Sequence, residues 1–244
     1  MEKKVEQIIH KDNSQIYDIL TAVFLIIITL VLFAIWRRRK AVGQSILLTG
    51  LCDAGKTLIY ARLQSSKFVK THTSVKENIG DIIINKHVLK IVDIPGHERL
   101  RYTFFNQYKL SLKGLVYVID SVTIQKDIRD VAEYLYNLLS DPALQKNIPV
   151  LILCNKQDQA MAKGCSVIKT LLEKEINLLR LTKTNQLNAT DDSSASSFLG
   201  KLGKDFEFSH IASNVELAES YGFNKDADNP ADIKELNAWL QKIG

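Results

Sequence analysis

The eight residues Gly50-Leu51-Cys52-Asp53-Ala54-Gly55-Lys56-Thr57 satisfy the pattern G-x-x-x-x-G-K-[ST] in full. This stretch narrows the fold more than any other, because the pattern works only between a strand and a helix. Ile46-Leu47-Leu48 before it reads as a buried strand, and Leu58 to Leu63 after it suits a helix. Glycines let backbone N–H groups close around an anion, and the helix N-terminus adds partial positive charge. Residues Gly50 to Leu58 are therefore expected to hold phosphates, with Lys56 reaching the β and γ positions and the Thr57 hydroxyl ligating Mg²⁺. The flanks argue against an ordinary glycine turn with a chance lysine.

The chain downstream alternates strand-like and helical runs. Asp81–Ile84 and His87–Val92 read as two strands joined by a tight Asn85-Lys86 turn. Gly114–Ile119 and Pro149–Cys154 are continuous apolar runs, as in strands buried on both faces of a largely parallel sheet. Ile128, Val131, Leu135, Leu138 and Leu139 recur at helical spacing, as do Ile168, Leu172, Ile176 and Leu179. Asn229-Pro230 reads as the start of a last helix, whose apolar face is Ile233, Leu236, Trp239, Leu240 and Ile243. The expected architecture is an α/β, doubly wound, mostly parallel sheet with helices on both faces. Residues 181–205 are rich in Thr, Ser, Asn, Asp and Lys and read as a polar surface insertion.

Two further motifs sit at strand ends. Asp93-Ile94-Pro95-Gly96 follows the third strand. An acid there can hold Mg²⁺ through water, and the Gly96 N–H can approach a γ-phosphate. Asn155-Lys156-Gln157-Asp158 follows the Pro149–Cys154 run. The Asp158 carboxylate can accept from the adjacent N1–H and N2–H₂ donors of guanine, a pair that adenine lacks.

In this order, these motifs resemble those of the small Ras-like GTPases, over roughly residues 45–244. A closer similarity is to the Arf-like beta subunits of the signal recognition particle receptor. It is carried by Gly50–Thr57, Asp93–Glu98, Asn155–Asp158 with Met161-Ala162-Lys163, and Gly203–Ser209. The resemblance implies GTP or GDP with Mg²⁺ as cofactors. It makes Thr71, His72, Thr73 and Ser74 the first switch, with Thr73 facing Mg²⁺. The residues after Gly96 become the second switch. His97 stands where Ras-like enzymes carry a glutamine that positions water, and the sequence shows no arginine finger, so slow hydrolysis is expected. Ser220 and Tyr221 occupy the last base-contacting loop, where Tyr221 departs from the usual small residue. The implied partner is the receptor's alpha subunit, bound through the switches, with ribosome and signal recognition particle engaged indirectly. Tyr102, Phe104, Phe105 and Tyr108 either belong to that surface or pack inward. The alternatives are a vesicle-traffic GTPase of the Arf or Sar type and a hydrolase active in membrane remodelling.

The N-terminal part carries a second strong signal. Residues 1–18 are polar, and the balance of charge puts them on the lumenal side. Ile19 to Trp36 is an 18-residue run without a charge, containing thirteen Ile, Leu, Val or Phe residues. As a helix it would span ~27 Å, about an endoplasmic reticulum bilayer. Arg37-Arg38-Arg39-Lys40 follows within the linker 37–44. That basic stop argues against a cleaved signal peptide and, by the positive-inside bias, places the domain 45–244 in the cytosol. The expected location is a single pass in the endoplasmic reticulum membrane. The net charge of +5 includes this basic run, and no nucleic-acid-binding signature accompanies it. Cys52, Cys154 and Cys165 form no C-x-x-C pair, consistent with a reduced compartment.

Overall fold

The computed structural model describes residues 20–33, 45–65, 68–85, 87–190, 199–223 and 231–244, the side chains of 184–190 excepted. The chain divides into two compact units, Met1–Val42 and Gly43–Gly244. In the first, residues 20–33 form helix α1, with every residue exposed. Both ends of the Ile19–Trp36 run, the segment 1–18 and the linker 37–44 lie outside the described residues. Among the described residues no helix is long and apolar enough to cross a membrane.

The described residues of the second unit form six strands: β1 (Ser45–Thr49), β2 (Asn78–Ile84), β3 (His87–Asp93), β4 (Leu112–Asp120), β5 (Val150–Asn155) and β6 (Val215–Glu219). Their order across the sheet is β2-β3-β1-β4-β5-β6. Among these six, β2 alone runs antiparallel, pairing with β3 so that Ile84 faces His87 across a two-residue turn. Asn85 in that turn has a φ of 50°, a conformation asparagine tolerates. β2 starts three residues before the apolar run suggested, because Asn78, Ile79 and Gly80 pair with Asp93, Val92 and Ile91.

Strand alternation divides the core in two. Leu47, Tyr117, Ile119 and Ile152 point to one face, where they meet α3 (Glu98–Tyr108), α4 (Ile124–Leu139) and α5 (Cys165–Thr190). Ile46, Leu48, Val116 and Val118 point to the other, against α2 (Lys56–Ser65) and α6 (Lys234–Ile243). Each fully buried aliphatic side chain contributes about 1.5–3 kcal/mol, so strands buried on both faces anchor the sheet. The helical stripes read from sequence lie here: Val131, Leu135, Leu138 and Leu139 on α4, Ile168, Leu172 and Ile176 on α5, and Leu236, Trp239 and Leu240 on α6.

Two expectations are corrected, and one open alternative is decided. The insertion reading of 181–205 fails for its first ten residues, since α5 continues to Thr190. Composition suggested a loop, but no Gly or Pro interrupts the helix. Its extension is held to α4, where Lys183 Nζ donates to Asn137 Oδ1 at 2.7 Å and lies 4.6 Å from the Tyr136 ring centre. Nor is the end of that stretch all surface: Leu199 is buried, and the Arg180 guanidinium donates to the carbonyls of Lys201 and Lys204. The last helix begins at Lys234, not at Pro230; Asn229-Pro230 lies outside the described residues. Asp232 is held extended by a bridge to Tyr221, and its carboxylate accepts from the Lys234 N–H, so the helix starts only after it. The aromatic residues of α3 pack inward. Phe105 is buried, and Tyr102, Phe104 and Tyr108 lie against the same core.

Candidate functional site

The phosphate-loop motif runs from the end of β1 into α2, with Ile59 N–H donating to Gly55 O as the helix begins. Gly55 has a φ of 92°, and a Cβ there would stand 2.3 Å from the Asn155 amide nitrogen. Asp53 also takes a positive φ, of 60°. Lys56 is 6% exposed and donates to Leu51 O at 2.6 Å. Burial pushes its ammonium below the usual lysine range, with Asp93 partly opposing. A cation desolvated and aimed across its own loop is poised for an anion held by the same loop.

Asp93 ends β3 and is fully buried. Its Oδ2 accepts from Thr57 Oγ1 at 2.8 Å and from Asn78 Nδ2 at 2.9 Å. Its Oδ1 is buried without a hydrogen-bond partner. Desolvation raises the carboxyl above the usual aspartate range, and the two hydrogen bonds only partly offset this. An orphaned buried carboxylate oxygen beside a threonine hydroxyl fits a hard divalent cation or its bound water. Of the residues expected to form the first switch, Ser74 comes nearest, its Oγ 3.2 Å from Thr57 Oγ1. Thr73 lines the cleft and is exposed, so Ser74 rather than Thr73 supplies the hydroxyl beside Thr57 here. Gly96 packs so closely on the loop that a Cβ would meet the Cys52 nitrogen at 2.6 Å.

Lys56, Thr57, Thr73, Ser74 and Gly96 line one cleft of 440 Å³, while Asp93, bonded to Thr57, is not one of its walls. Its walls are Cys52, Asp53 and Gly55–Leu58 from the loop, Thr71–Ser74, Ile94–Gly96, and Lys156. The other expected residues do not line it. Leu51 and Ala54 serve through their carbonyls, as acceptors for Lys56 and Asn155. Asn155 donates to Ala54 O at 2.8 Å and accepts from Ser220 Oγ at 3.3 Å, tying the phosphate loop to the last loop. Asp158 is exposed. Tyr221 uses its N–H on Asp232 O at 3.0 Å. His97 is exposed and caps α3, its Nδ1 accepting from the Arg99 N–H at 3.3 Å.

Sequence reasoning missed three supporting residues. Asn78 reaches Asp93 only because the two are paired across β2 and β3. Asp120 accepts from Lys156 Nζ at 2.6 Å, placing Lys156 at the rim with a φ of 68°. Gln157 donates to Ser121 Oγ and to Lys163 O, bracing the loop that follows β5. An acid ending the apolar β4 run was the one visible sign of Asp120.

A parallel sheet with one antiparallel edge strand, a phosphate loop after β1 and a buried acid after β3 define an Arf-like small GTPase fold. A profile of the signal recognition particle receptor beta subunit family matches residues 41–215. The chain is 39% identical over 245 residues to the signal recognition particle receptor subunit beta of Homo sapiens, covering 98% of this chain and 90% of that one. It is similar to a chain in the structure of the mammalian SRP receptor, at 39% identity and a TM-score of 0.72, covering 82% of this chain and all (100%) of that one. A chain of the SRb-GTP/SRX complex from Chaetomium thermophilum shares the fold, at 22% identity and a TM-score of 0.66, over 81% of this chain and 99% of that one. The chain belongs to the signal recognition particle receptor beta subunit family.

Proposed function

We propose that this chain is the guanine-nucleotide-binding subunit of a signal recognition particle receptor, a switch that holds the alpha subunit at the endoplasmic reticulum. The observation that carries the reading is the Lys56–Thr57–Asp93 cluster: a desolvated cation and a hydroxyl at one cleft and, bonded to that hydroxyl, a buried carboxylate with one unpartnered oxygen. The backbone of Gly50–Lys56 would hold the phosphates, and Lys56 would trade its Leu51 carbonyl for phosphate oxygen. Thr57 and Asp93 would hold Mg²⁺, with Ser74 or Thr73 closing from the first switch. When bound, Mg²⁺ neutralises charge on the phosphates. Asn155 would keep the phosphate and base loops in register, and Asp158 would read guanine.

Residues Thr71–Ser74 and the segment after Gly96 would change order with the nucleotide and form the partner surface. His97 caps a helix rather than facing the cleft, which supports a slow hydrolase acting as a switch. Ile19–Trp36 would anchor the chain in the membrane as a single pass, with the domain from residue 45 in the cytosol. The composition of that run and the family to which the chain belongs support the anchor.

The test uses the full chain reconstituted in nanodiscs, loaded with GTP or GDP and exposed to detergent-solubilised microsomal proteins. Capture of the receptor alpha subunit with GTP but not GDP is the expected result. Equal capture in both states would remove the switch from the reading. Alkaline carbonate tests the anchor separately, since a peripheral protein would be released.

A further inference from the structure

Helix α3 follows Gly96 closely and is held at two places. Near its start, Gly96 packs against the phosphate-loop backbone at Leu51 and Cys52. About one turn later, the Arg101 guanidinium lies 4.3 Å from the centre of the Tyr134 ring on α4 and 5.2 Å from that of Tyr102. Tyr102 and Tyr134 meet edge to face at 5.3 Å. Tyr134 is fully buried, and its hydroxyl shares a 2.6 Å hydrogen bond with Thr49 Oγ1. Thr49 is the residue immediately before Gly50, where the phosphate loop begins. Tyr134 thus touches both the root of that loop and the helix that carries the second switch.

Arg101 is 9% exposed, forms no ion pair among the described residues, and leaves its buried Nε without an acceptor. Burial of a guanidinium without a carboxylate is unfavourable, and among the described residues two ring faces offset it. A small displacement of Gly96, carried along a rigid helix, would change the stack on Tyr134.

We infer that Arg101 and Tyr134 are positioning residues that couple the second-switch helix to the phosphate loop, and so set the discrimination between a nucleoside triphosphate and a diphosphate. The coupling rests on the nucleotide reading above. It predicts that weakening the stack or the Tyr134–Thr49 bond changes the two affinities by different factors. A residue that only stabilised the fold would lower the melting temperature and change both affinities alike.

The experiment compares full-length wild type with Tyr134→Phe, Arg101→Lys and Arg101→Gln. Dissociation constants for fluorescent GTP and GDP analogues are measured with Mg²⁺, alongside melting temperature. Tyr134→Phe keeps the ring and removes only the hydroxyl; Arg101→Lys keeps the charge and loses the flat stack. The expected result is a GTP-to-GDP affinity ratio altered by about three- to tenfold in both, the size of one hydrogen bond or cation–π contact. Ratios within roughly twofold of wild type in both would overturn the coupling. If Arg101→Gln does not fold, the two conservative variants decide. Wild type that binds neither nucleotide would overturn the nucleotide reading, and the coupling with it.

Discussion

Lys56 and Asp93, in the half of the site proposed to take phosphates, are 6% and 0% exposed, and their neighbours are set by strand ends. In the half proposed to read the base, Asp158 is exposed, Tyr221 is engaged with Asp232 through its backbone, and Asn155 bonds to loops rather than lining the cleft. Phosphate recognition needs backbone N–H groups and a few desolvated charges, which a rigid sheet can hold ready. Base recognition relies on side chains at loop tips, whose final positions depend on the ligand. The phosphate side carries the burden of desolvated charge in advance, and the base side remains adjustable.

The largest expected effect tests that division directly. Lys56→Ala is expected to weaken guanine nucleotide binding by about 100-fold or more, as loss of one partner from a buried charge pair does. Titration with a fluorescent nucleotide checks it, and unchanged affinity would mean that the cleft holds something else. Asp158→Asn is expected to cost about 10- to 100-fold for guanine nucleotides, the size of one lost bidentate pair. Xanthine nucleotides should gain, because an amide can donate to the xanthine O2. Competition between GTP and XTP reads the ratio, and an unmoved ratio would place base recognition elsewhere.

Asp93→Asn bears on the stored charge. Because burial raises the folded-state carboxyl, the folded chain binds its proton more tightly than the unfolded chain. Without ligand, this group's contribution to stability therefore falls as pH rises from the usual aspartate range through the raised value. Asp93→Asn removes that dependence. At neutral pH the ligand-free variant is expected to be more stable than wild type, by about 1.4 kcal/mol for each factor of ten by which folding tightens proton binding. The gap should close on acidification. The variant should also lose stabilisation by Mg²⁺ with nucleotide. Thermal unfolding from pH 4 to 7, with and without ligand, reads both; a gap independent of pH would deny the buried charge.

The smallest effect concerns His97. Its alanine variant is expected to lose about 0.5–1 kcal/mol through the missing cap on α3, while single-turnover GTP hydrolysis stays slow. A large fall in that rate would return His97 to the reaction and blur the boundary between structural and chemical roles.

The phosphate half was legible because its chemistry is local. Loop, lysine and threonine sit within eight residues, and Asp93 ends an apolar run. The base half was only partly legible: Asn155 and Ser220 read as nucleotide contacts in the sequence, yet in this structure they bond to each other. The helical extension of α5 was hidden because its support comes from Asn137 and Tyr136, far away in sequence.

The sequence by itself determined the order of elements, the phosphate loop, the buried strands and the apolar faces of α4, α5 and α6. These follow from spacing along the chain and the burial of apolar groups. Only the tertiary structure decided that Asn78 braces Asp93, that Ser74 rather than Thr73 reaches Thr57, and that Tyr134 bridges Thr49 and α3. Each is a contact between elements, set by strand register and helix packing, and no local pattern encodes it.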